Sequence, residues 1–296
     1  MLLSPCFAPS RSEAPRENRY AAPLLPKGPF MLELAAFGTL LPLCLALGLA
    51  TGFLGGLLGI GGGVVIVPSL ILIFDAFTLP LGIREAVATA LGAMVFTSLA
   101  AGRAQLRRGA LEFPLLLSWT PGLILGGLGA GALASQLPEN VLTRFLGVFL
   151  GLIALIFLTR WQPPAARRHP GTVGTGLLGL GTGLLSGLAG IAGGNIIVPT
   201  LIFFNVSPVR AAAQSSALGV PVALSGALGY AVLPPAPVPG ALGALYLPAV
   251  AALALGAMLS APQGVRLAHR VPALLLRRAF ALLLLLAAVR LLTKTV

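Results

Sequence analysis

Apolar residues run in long stretches over most of the chain, and the breaks between them are short and rich in Gly, Pro or Arg. The stretches fall at 35–58, 63–79, 86–102, 113–135, 141–159, 172–190, 194–206, 211–233, 241–261 and 273–292. A helix needs about 20 residues to cross the bilayer core. Several stretches reach that length, while 63–79 and 194–206 are short. In hydrocarbon, backbone polar groups are satisfied only inside helices or a closed barrel. The strict alternation of barrel strands is missing. The pattern therefore predicts an all-α polytopic membrane protein.

Composition strengthens this reading. The chain is 57% hydrophobic and only 9% charged, against about 25% charged for soluble domains. A soluble protein of this size lacks the interior volume to hide so much apolar surface. The net charge of +12 sits in short clusters between apolar stretches, such as Arg103, Arg107 and Arg108, or Arg277 and Arg278. Such clusters follow the positive-inside rule and do not make the continuous basic face that nucleic acid requires. Cys6 and Cys44 are too few for a disulfide framework or zinc site. His169 and His269 sit beside arginines in loops, so no metal or cofactor is predicted. Residues 1–30 are polar and Pro-rich and are read as a disordered extension, with Met31 as a candidate start.

An internal repeat organises the rest. Residues 48–74 read GLATGFLGGLLGIGGGVVIVPSLILIF, and 179–205 read GLGTGLLSGLAGIAGGNIIVPTLIFFN; more than half of the aligned positions are identical. Thr89-Ala90-Leu91 answers Ser216-Ala217-Leu218, and Pro138 to Arg144 answers Pro272 to Arg278. This gives a first membrane repeat at 31–160, a basic cytoplasmic linker at 161–170 and a second repeat at 171–296. Five segments per repeat is an odd number, so the two repeats would be inverted, an arrangement common in secondary transporters. The loops near 103–112, 160–170, 207–210 and 262–278 then share the cytoplasmic side. Those near 75–85, 136–144 and 234–240 face outward.

Two Gly-rich turns, Gly59 to Gly63 and Gly190 to Gly194, each precede a short apolar segment containing a proline. A helix N-terminus carries N–H groups without intrahelical partners and a partial positive charge, which suits an anion. Short helices at matched places in two repeats point to a transport site. Glycines also serve close helix packing. Gly48, Gly52, Gly55 and Gly59 are assigned that role, so that Gly48→Ala should be mild. Polar side chains in apolar segments are Thr89, Thr97, Ser98, Asn195, Gln214, Ser215, Ser216 and Ser225. Ser and Thr often bond back to their own helix, whereas an unpaired amide costs more to bury, which favours Asn195 and Gln214. No acidic residue lies after Glu139 or at the centre of a segment, which argues against a carboxylate-based cation pathway. Arg84 and Arg210 precede the matched polar stretches and either attract an anion or snorkel to headgroups. The candidate substrate-binding set is Gly61, Gly62, Gly63, Thr89, Gly193, Gly194, Asn195, Gln214, Ser215 and Ser216. The two turns are expected to meet near the midplane around a shared cavity.

These residues carry a resemblance. GIGGGVVIVP at 59–68 and GIAGGNIIVP at 190–199 resemble the sulfite exporter TauE/SafE family of permeases, as do TAL at 89–91, RRGALEF at 107–113 and PQGVRLAHRVP at 262–272. The resemblance spans nearly all of residues 35–292. It implies a multi-pass protein of the bacterial cell membrane that transports small sulfur-containing anions or related organic acids such as sulfite or sulfoacetate. The second turn departs from the first at Ala192 and at Asn195, where the first repeat has Val64. A membrane enzyme is disfavoured, because Ser186 lacks a nucleophile motif and no histidine lies at a helix centre. A channel or an assembly factor without carrier activity is the remaining alternative.

Overall fold

The computed structural model describes residues 29–58, 63–159, 171–267 and 273–294. The described residues form ten helices: α1 (Pro29–Leu58), α2 (Gly63–Ala76), α3 (Ile83–Arg107), α4 (Phe113–Gln136), α5 (Glu139–Thr159), α6 (Thr172–Ala189), α7 (Gly194–Phe203), α8 (Pro208–Ala231), α9 (Leu247–Leu267) and α10 (Ala273–Lys294). Each overlaps one of the ten apolar stretches with shifted ends, as α3 does at 83–107 against 86–102. Helix α1 begins at Pro29, six residues before the expected stretch and two before the expected repeat boundary at Met31. The segment expected to start at 241 opens with a two-stranded hairpin, β1 (Ala241–Leu242) and β2 (Leu245–Tyr246). Its turn uses Gly243 at φ +58°, a conformation that glycine adopts without steric cost.

Seven of the described helices contain spans long and apolar enough to cross a membrane. Their outward faces are apolar too: Leu117 on α4, Leu152 on α5, Leu177 on α6 and Leu259 on α9 are all exposed. A belt of exposed leucines is costly in water and ordinary in lipid. The chain is therefore a multi-pass helical membrane protein. Helix α7, with 10 residues, is about 15 Å long, roughly half of the hydrocarbon core. Its C-terminal end leads to the 204–207 loop.

The pairing of helices has a regular form. Helix α1 packs along α9, α4 along α6 and α8, α3 along α8 and α9, and α5 along α10, while α2 leans on α3 and α7 on α8. Exchanging each helix for the one five places away turns α1 with α9 into α6 with α4, and α2 with α3 into α7 with α8. Glycines set the closest approaches. A methyl added to Gly48 would fall 2.9 Å from the Leu253 Cα, and one on Gly56 would meet the Ala261 backbone. The rising register makes α1 and α9 parallel. On α4, a methyl on Gly122 would come 2.8 Å from the Leu180 N, and one on Gly126 2.7 Å from the Leu184 N. These backbones touch without side chains between them, as small-residue helix pairs in membranes do. The seam on α1 uses Gly56 where Gly55 was expected, and Gly59 lies outside the described residues.

Loop contacts sort the helix ends into two groups. Arg210 on α8 forms an ion pair with Glu112 at 3.0 Å, joining the 103–112 and 207–210 loops. At the other end, the Arg84 guanidinium donates to the Leu137 carbonyl at 2.6 Å, joining 75–85 to 136–144. The hairpin joins that second group, because the Tyr246 N–H donates to the Thr89 Oγ at 3.1 Å. Both arginines that were candidates for a pore mouth thus hold loops together.

Candidate functional site

The second Gly-rich turn is built from local chemistry. Gly190 ends α6 at φ +68°, and Gly193 precedes α7 at φ +80°. Side-chain-bearing residues rarely adopt these values, so glycine is favoured at both positions. The Gly193 carbonyl accepts from the N–H groups of Ile196 and Ile197, at 3.0 and 2.8 Å. The N–H groups of Gly193, Gly194 and Asn195 have no acceptor among the described residues. They form a cluster of free donors at the positive end of α7.

A cavity of about 290 Å³ reaches this end. Its walls come from α1, α2, α3, α8, α9 and the start of α7. Exposed Ala104, Arg108 and Pro262 mark its mouth, on the side of the basic loops. Buried Ile66, Ser98, Ala192, Gly194 and Ser215 line its deep end. Ser98 and Arg108 are ten residues apart on α3, about 15 Å of helix. No acid or histidine lines the cavity among the described residues.

The lining hydroxyls differ in what they can offer an anion. Ser216 donates to the Ala212 carbonyl at 2.9 Å, Thr97 to Met94 at 3.1 Å, and Thr51 to Leu47 at 2.8 Å. A hydroxyl has one proton, so these three are already committed. Ser98 and Ser215 donate to no described residue. Gly219 makes room for the first of them: a methyl there would lie 2.8 Å from the Ser98 Oγ and 3.3 Å from the Ala192 carbonyl oxygen.

Of the sequence-predicted set, Gly194, Ser215 and Ser216 line the cavity, and Gly193 adjoins it as the residue before Gly194. Asn195 and Gln214 do not line it. Both atoms of each amide are buried without a partner among the described residues. Gln214 shares a face of α8 with Ala211 and Leu218, which pack with Trp119 of α4 and Ile197 of α7. The Trp119 Nε1 is also buried and unpaired. Thr89 is placed elsewhere. Its oxygen accepts the Tyr246 N–H beside the hairpin, a partner hidden from a reading that expected helix there. Gly63 starts α2 and faces Met94, and a methyl on it would lie 3.4 Å from the Gly190 carbonyl oxygen. The start of α2 therefore approaches the second turn. Gly61 and Gly62 lie outside the described residues. Ser98 was visible in the sequence as a polar residue in an apolar stretch, but Gln105 and Arg108 at the mouth gave no signal beyond their charge or polarity.

The profile of the family described as Sulfite exporter TauE/SafE matches residues 44–291. A probable membrane transporter protein of Haemophilus influenzae is 27% identical over 264 residues, covering 86% of this chain and 99% of the relative. A second probable membrane transporter protein, from Methanocaldococcus jannaschii, is 29% identical over 205 residues, 66% of this chain and 73% of its own. The Bacillus subtilis probable membrane transporter protein YunE is 27% identical over 191 residues, 57% and 70% of the two chains. No solved structure matches the chain. With a profile match running from α1 to α10 and a ten-helix membrane architecture around a central cavity, the chain belongs to the TauE/SafE sulfite exporter family of membrane transporters.

Proposed function

We propose that this protein is a cell-membrane permease for a small anion, in particular a sulfur-containing oxyanion or organosulfonate such as sulfite or sulfoacetate. The observation that carries the reading is the meeting of the cavity with the start of α7. There, a small solute would exchange its hydration for fixed backbone N–H donors, which neutral pH cannot switch off. The absence of lining acids among the described residues removes the repulsion such a solute would otherwise meet. Arg108 at the mouth adds attraction on the approach. Among the described residues the cavity wall offers no nucleophile–base pair, which favours transport over catalysis.

The test is uptake of labelled sulfite by proteoliposomes holding the purified chain, with sulfoacetate and chloride as competitors. A permease gives saturable uptake that sulfoacetate reduces and chloride leaves unchanged. Flux linear in concentration identifies a channel, and uptake equal to protein-free vesicles identifies a protein with another role, such as assembly.

A further inference from the structure

The cavity changes character along its length. At the deep end, Ser98 on α3 and Ser215 on α8 are only 8% and 3% exposed, and neither hydroxyl donates to a described residue. Gly194, at the start of α7, lies on the wall with them. A buried hydroxyl without a partner is unfavourable, and native chains keep few polar groups in that state without a reason. Both serines open onto the cavity, so their partner is whatever fills it.

Further out, the wall has little to offer a charged group. Thr51, Thr97 and Ser216 donate their protons to helix carbonyls and show an anion only lone pairs. Between Ser98 and Gln105, Ala100, Ala101 and Ala104 line the wall along about 10 Å of α3. Gly55 and Gly56 of α1 and Ala257 and Ala261 of α9 line it as well. Among the described residues a charge enters the lining at the mouth, where Arg108 stands about 15 Å from Ser98 along the helix. The order is therefore free donors, then small apolar groups, then a cation.

Size narrows the ligand. The volume of about 290 Å³ is close to the lower end of small-molecule sites, about 300–1,000 Å³. Sulfite, one sulfur with three oxygens, is small enough to sit at the deep donors and leave the alanine zone empty. Apolar surface buried in that zone is favourable in proportion to its area. At about 1.5 Å per carbon–carbon bond, a butyl tail extends about 5 Å and stays within the alanine stretch. Resting on the anion-permease reading above, we propose that the cavity is built for an organic oxyanion with a short apolar tail, such as an alkanesulfonate. The head is held between Ser98 and Ser215, and the tail lies along Ala100, Ala101 and Ala104.

The test is binding of methane-, ethane-, propane- and butanesulfonate to the purified chain in lipid nanodiscs, read from titrated melting-temperature shifts. Affinity should rise about two- to fourfold per methylene. Isethionate, which has a hydroxyl where propanesulfonate has its terminal methyl, should bind more weakly than propanesulfonate. No shift with any sulfonate, a flat series, or isethionate equal to propanesulfonate overturns the proposal. Ser98→Ala and Ser215→Ala should weaken every member by a similar factor and keep the gain per methylene, because they touch only the head. If Arg108→Ala weakens the series and neither serine variant does, the head sits at the mouth and the assignment is wrong. Ala101→Leu fills the wall, and Ala101→Ser puts a hydroxyl on it with little change in size. Both should shrink the gain from methane- to butanesulfonate, while Leu117→Ala, exposed on α4, should leave it unchanged. A full gain in both Ala101 variants places the tail elsewhere and overturns the proposal. Saturable sulfite uptake is measured on the same protein in proteoliposomes. Its absence sinks the permease reading, whereas the binding series decides the tail site by itself.

Discussion

Glycine does two different jobs in this molecule, along the α1/α9 and α4/α6 seams and at the turn before α7. In the seams, Gly48, Gly56, Gly122 and Gly126 have helical neighbours on both sides, and what matters is the missing Cβ. The opposing surface is backbone, which cannot rotate away as a side chain can. At the turn, Gly193 meets only the Ile197 side chain at 2.9 Å and the Ser186 Oγ at 3.5 Å, and what matters is φ +80°. The seams thus hold α1 to α9 and α4 to α6, while the turn borders a cavity. Damage to a seam should remove the protein, and damage to the turn should remove transport from a protein that is still present.

The largest effect is expected in the seams. Gly126→Ala places a methyl against the α6 backbone, and overpacking of this kind costs about 1–3 kcal/mol or more. Gly48→Ala should behave alike, contrary to the mild effect the sequence suggested, because Leu253 backbone atoms occupy the space. Membrane-extracted protein, followed by size-exclusion profile and thermal melting, should fall sharply for both. Normal yields would show that the helices separate easily and would erase the distinction between the two uses of glycine.

Next comes the turn. Gly193→Val should abolish sulfite uptake at near-normal protein level, because a β-branched residue is poorly tolerated at positive φ. Gly193→Asn should retain part of the flux, since asparagine tolerates the left-handed conformation. If asparagine and valine behave identically, space and not backbone angle is the requirement.

A smaller change is expected from Asn195→Ala. If the amide binds the anion directly, half-saturation should rise by the equivalent of about 1–3 kcal/mol, with maximal flux little changed. An unaltered half-saturation constant would assign the amide to packing around Trp119. Smallest of all is Arg210→Ala, which breaks an ion pair whose two side chains are largely exposed. Such a pair contributes less than about 1 kcal/mol, so the melting temperature should barely move. A large drop would mean that the 103–112 and 207–210 loops depend on this contact.

Much of the fold was legible in the sequence because lipid imposes a simple rule. Each crossing must be helical and apolar along its length, so segment positions follow from composition alone. The hairpin at 241–246 escaped because its residues are as apolar as those of a helix start, and only Gly240 and Gly243 at positive φ mark it. The turn before α7 was legible for the opposite reason, since consecutive glycines in an apolar chain have few uses besides a tight bend. Of the seam glycines on α1, Gly48 and Gly52 were legible and Gly56 was not: Gly55 and Gly56 are adjacent, and helix rotation turns Gly56 onto α9.

The sequence by itself determined that this chain is a multi-pass helical membrane protein and roughly where its helices lie. The tertiary structure alone decided which polar groups remain free. Ser216 spends its proton on its own helix, Thr89 accepts from a strand far along the chain, and Ser98 and Ser215 are left facing the cavity. The physical reason is that hydropathy reports how much a residue resists water, a property of the residue type. Hydrogen-bond saturation depends on which atoms lie within about 3 Å, and only the packing of distant helices fixes that.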